Sequence, residues 1–124
     1  MKTIQLAALA LALGSSAGMA GDCSGPQPPS LPDGATASME EMLAGQKAVK
    51  EYQAANLEYM GCLEKEFTAA ETAALNSSSE EDKEAAQATY QKAVDAYNAA
   101  VSKEEEVAGQ FNTELREYKA ANPG

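Results

Sequence analysis

Residues 86–118 read AQATYQKAVDAYNAAVSKEEEVAGQFNTELREY. Within this stretch Tyr90, Tyr97, Glu104, Phe111 and Tyr118 recur every seven residues, and Val94, Val101, Ala108 and Leu115 keep the same step four positions on. A seven-residue apolar repeat holds one stripe of a helix against a partner helix. Aromatic rings fill the first line everywhere except Glu104. The stretch therefore predicts a long helix built to lie along another, with Tyr90, Val94, Tyr97, Val101, Phe111 and Leu115 as its interaction seam.

The partner helix lies upstream. From Met39 to Leu75 there is no proline, and Met42, Val49, Asn56, Leu63 and Ala70 keep the seven-residue step, with Met60, Phe67 and Ala74 beside them. Gln46 and Gln53 interrupt the second line, so the seam weakens toward its start. Ser38 followed by Glu41 is a capping box, and Asn76-Ser77-Ser78-Ser79 breaks the pattern before a second cap and an acidic first turn. The expected elements are a helix over 38–75, a loop over 76–79 and a helix over 80–121. Helices joined so tightly become antiparallel neighbours. The fold class read from the sequence is all-α: a long antiparallel two-helix coiled-coil hairpin preceded by an extended Pro-rich segment. Folding at the loop sets Leu63 near Tyr90–Val94, Asn56 near Tyr97–Val101 and Met42 near Phe111–Leu115. Asn56 and Glu104, polar at seam positions, are the residues expected to fix register or oligomer state, at a cost in stability.

Residues 1–20 have the character of a cleaved signal peptide: Lys2, an apolar run from Ile4 to Leu13, then small residues around Met19 and Ala20. Cleavage after Ala20 leaves about 104 residues, one domain. It removes Lys2 but none of the 19 acidic residues, so eight basic residues face 19 acidic ones and the formal charge is −11. Such a chain repels nucleic acid and anionic lipid. The expected location is the periplasm or the cell exterior, without membrane insertion. Asp22 directly before Cys23, where a lipid-attachment signal needs a small residue, argues against a lipid anchor.

Residues 21–37 carry Pro26, Pro28, Pro29 and Pro32 and are expected to run extended. Cys23 and Cys62 are the only cysteines, in a compartment where disulfides persist. An intramolecular bridge is the first reading and an intermolecular one the second. Helix 1 also bears a second line, Gly45, Ala48, Tyr52, Ala55, Tyr59 and Cys62, at helical spacing. At polyproline rise the leader is long enough to turn at Pro32-Asp33-Gly34, run back along helix 1 and reach Cys62. Tyr52 and Tyr59 would then form the groove for the Pro-rich segment. Alternatively, that line is a broad core-facing stripe covered by a helix of a second copy of the chain. Pro29 to Leu63, with the PDGATA turn, the Met42/Val49/Tyr52/Tyr59 spacing and Tyr59-x-x-Cys62-Leu63, resembles short secreted α-helical proteins of Gram-negative bacteria. The resemblance implies an N-terminal cysteine paired to a mid-helix cysteine, and no activity.

Chemistry is sparse. The chain has no histidine, hence no ordinary general base near neutral pH and no imidazole metal ligand. It has no Gly-x-Ser-x-Gly turn and no glycine-rich phosphate cradle. No catalytic residue, cofactor or metal is assigned. Glu104-Glu105-Glu106 is more simply a solvated face than a cation site, and Met39, Met42 and Met60 are more simply core filler than soft-metal ligands. The expected function is non-enzymatic: contact with a protein partner, or self-assembly as a homodimeric four-helix bundle. A chaperone-like binder of apolar clients and a small-ligand or metal carrier are the alternatives.

Overall fold

A computed structural model describes residues 23–124. The expected signal peptide lies outside the described residues. Two helices carry the fold, α1 over Met39–Asn76 and α2 over Glu80–Ala121, of 38 and 42 residues. At a rise of 1.5 Å per residue they are roughly 57 and 63 Å long. They pack antiparallel, and the hairpin anticipated from the two seven-residue repeats is the fold.

The helix ends have local causes. Ser38 Oγ accepts from the Glu41 N–H at 3.1 Å, and a Glu41 carboxylate oxygen accepts from the Ser38 N–H at 3.2 Å. This reciprocal pair satisfies two amides that the helix itself leaves open. Ser79 caps α2 by accepting from the Asp82 N–H at 3.1 Å, ahead of an acidic first turn of Glu80, Glu81 and Asp82. At the far end the Asn122 amide N–H and side chain both donate to the Tyr118 carbonyl, at 3.0 and 2.9 Å, and close the last turn.

The helix–helix seam keeps the expected register. Asn56, only 2% exposed, donates from Nδ2 to the Ala100 carbonyl at 3.0 Å across the seam. Toward the loop, the Phe67 ring sits edge-on to Tyr90 and Tyr97, with centroids 6.0 and 5.9 Å away. Toward the open end, Met42, Val49 and Tyr52 of α1 cluster with Val107 and Phe111 of α2 and with Ala37. Leu31, Leu115 and Tyr118 pack at the edge of that cluster. The deepest line of α2 is Ala93, Ala100, Val107 and Phe111. Of the six residues expected as the seam, Phe111 is buried, while Tyr90, Val94, Tyr97, Val101 and Leu115 are half-buried beside that line. At Ala93 and Ala100 the buried side chain is the small one, and the larger Val94 and Val101 stand beside it, half-buried.

The leader is a third layer over part of α1. Cys23 is bonded to Cys62, with Cα atoms 5.6 Å apart. Gly25 lies on the Tyr59 ring, and Pro32 lies on Gly45 beside Phe111. Nine residues of leader thus pass seventeen residues of helix. At about 1.5 Å per helical residue this is some 2.8 Å per leader residue, close to the polyproline II rise. Asp33 then turns the chain into α1. Its carbonyl accepts from the Thr36 and Ala37 N–H groups at 3.1 and 2.8 Å, and its side chain accepts from the Ala35 N–H at 3.0 Å.

Candidate interaction surface

Three members of the second line of α1 meet the leader: Gly45 at Pro32, Tyr59 at Gly25 and Cys62 at Cys23. Tyr59 is half-buried against Gly25, whereas Tyr52 is buried in the main cluster with both helices around it. Burial pushes the Tyr52 phenol above its usual range. Lys103 opposes that shift, and Glu104 and Glu106 add to it. Glu104 is half-buried, and Glu106 is held by Lys103 at 3.0 Å on the surface. Lys103 thus pairs with one member of the three-glutamate run. Met42 belongs to the apolar cluster, Met60 is buried farther along α1, and Met39 stands 63% exposed.

The turn of the leader meets the C-terminal part of α2. The Gly34 N–H points to a Glu114 carboxylate oxygen at 3.4 Å, and a Cβ at Gly34 would run into the backbone of Glu114 and Tyr118. Asp33, Glu114 and Glu117 present carboxylate oxygens within 4.8 Å of one another there. A hydrogen bond with Glu114, and then the charges of Glu114 and Asp33 with a little burial, hold the Glu117 carboxyl above its ordinary range. Asp33 and Glu114 are about eighty positions apart, so no local pattern in the sequence announces this group. Near the disulfide, Glu66 carries a buried carboxylate oxygen with no hydrogen-bond partner among the described residues.

What the fold leaves uncovered is apolar and lies on α1. Met39, Leu43, Leu57 and Leu75 are 63, 59, 67 and 79% exposed. They share the flank of α1 opposite the leader. A shallow depression lined by Gly61, Glu64, Lys65 and Thr68 lies on the same side. These residues fell outside the seven-residue lines. Their signal in the sequence was spacing: Leu57 and Leu75 lie 18 residues apart, and Leu43 lies 14 residues before Leu57. No helix among the described residues is long and apolar enough to cross a membrane. The chain matches no protein-family model, no curated protein and no solved structure.

Proposed function

We infer that this is a non-enzymatic helical protein of the periplasm or cell exterior that acts by contact with protein, self-assembly foremost. The observation that carries the reading is the row of exposed large apolar side chains on α1, Met39, Leu43, Leu57 and Leu75, on a rod whose seam is already occupied within the chain. The disulfide supports an oxidising compartment, and the first twenty residues support export by a cleaved signal. The absence of histidine and of a nucleophile motif supports a role without catalysis.

The test is the mass of the exported, oxidised protein in solution, with crosslinking in its own compartment. The exported chain should begin at Gly21, form an assembly or crosslink to a discrete protein, and do so through α1. A chain that stays monomeric and crosslinks to nothing would overturn the reading. The same exposed side chains suit the second reading, a chaperone-like binder of apolar clients. That reading requires suppression of aggregation of a model client, and loss of suppression in Leu57→Asp.

A further inference from the structure

The exposed apolar row has an internal symmetry. Met39 and Leu75 each lie 18 residues from Leu57, and 18 residues are five turns of an unstrained helix, about 27 Å. The three side chains therefore share one angular position, and the row runs parallel to the helix axis without drifting around it. Lys50 and Glu64 fall on the same row, seven residues to either side of Leu57. Both are exposed, and neither takes part in an ion pair among the described residues. Within one chain they are about 21 Å apart along the helix and cannot meet.

An antiparallel copy of the same helix, placed so that Leu57 faces Leu57, resolves every one of these positions but one. Met39 comes opposite Leu75 of the partner subunit, and Lys50 comes opposite Glu64 of the partner subunit. The two-fold axis repeats both pairs. Gly61, where a Cβ would meet nothing within 4 Å, leaves room opposite Gln53 of the partner subunit. Leu43 falls opposite Glu71 of the partner subunit, the single mismatched layer. A self-complementary patch of this kind is what a two-fold interface requires. We propose that two copies of this chain associate through the outer flanks of α1, antiparallel about Leu57, with Lys50 of each copy paired to Glu64 of the partner subunit.

This rests on the protein-contact reading and names its partner as a second copy. It also moves the contact away from the seven-residue seam, which the hairpin uses within itself. The leader and disulfide lie on the other flank of α1 and stay outside the interface. The charge of −11 on each mature chain opposes association, and the two reciprocal pairs give local attraction where the helices touch.

Sedimentation of the mature oxidised chain over a range of concentrations tests this directly. The expected result is a reversible dimer. Lys50→Glu alone and Glu64→Lys alone each set like charges against each other twice and should weaken the dimer by on the order of tenfold or more. Lys50→Glu combined with Glu64→Lys should restore it, because the pairs re-form with signs exchanged. Leu57→Asp should leave a folded monomer with its disulfide intact. A monomer at every concentration overturns the proposal, as does a dimer indifferent to the single reversals or one that the double reversal does not rescue. A monomer that still crosslinks to a discrete protein in its compartment overturns the dimer and leaves the wider reading standing. A monomer with no crosslinked protein removes both.

Discussion

At Gly34 the leader backbone touches the backbone of Glu114 and Tyr118, and a methyl group has nowhere to go. Because the obstacle is main chain rather than a flexible tip, Gly34→Ala must push the leader turn off α2. The expected loss is about 1–3 kcal/mol, typical of overpacking, read from denaturant unfolding. Gly109 gives the opposite result: a Cβ there meets nothing, so Gly109→Ala should add up to about 1 kcal/mol through helix propensity. The neighbouring carboxylates give a pH signature. Glu117 is held above its usual range in the fold, so its protonated form is favoured there. The resulting stability is fully present below the unfolded value of 4.5 and is lost as pH rises through the higher folded value. Glu117→Gln should therefore raise the melting temperature at pH 7, and the difference should close in acid.

At the scale of the elements, Asn56 decides how the helices align. It is the most buried side chain in the described chain, and its bond to the Ala100 carbonyl exists in one register only. Asn56→Ala should cost about 1–3 kcal/mol in unfolding by loss of that bond and its packing. Much of this scale was legible in the sequence. The Ser38–Glu41 cap, the serine-rich break and the position of Asn56 opposite Tyr97–Val101 all follow from local chemistry and a period of seven. The phase within α2 was harder. Val94 and Val101 are larger and more apolar than Ala93 and Ala100, yet the alanines sit deeper. Hydropathy ranks the larger side chain as core, whereas close helix approach selects the smaller one at the point of nearest contact. The Asp33–Glu114–Glu117 group was not legible, because it arises only when the leader folds back onto the distant end of α2. Tyr97 illustrates the same point: its edge contact with Phe67 lies inside the chain, so Tyr97→Asp reports on the hairpin itself rather than on assembly.

The whole molecule is a thin rod with little core, and the bridge between Cys23 and Cys62, 39 residues apart, matters in proportion. In the chain-entropy view a loop of that length contributes about 4 kcal/mol. Cys23→Ser with Cys62→Ser should lower stability by about that much, checked by denaturant melts of the oxidised parent and the variant. The exposed row on α1 should remain competent to pair after the leader is released, because the bridge and the row occupy opposite flanks.

Both cysteines precede the loop at Ser77–Ser79, so the ring closed by the bridge contains the leader and the first part of α1, and none of α2. The second helix is tethered by three loop residues and otherwise held only by non-covalent contacts. A single nick at that loop would cut the molecule into two covalently separate pieces. On denaturing gels without reductant they should run apart, one of them still a ring. A nick inside the ring, between Cys23 and Cys62, would release nothing until reductant is added.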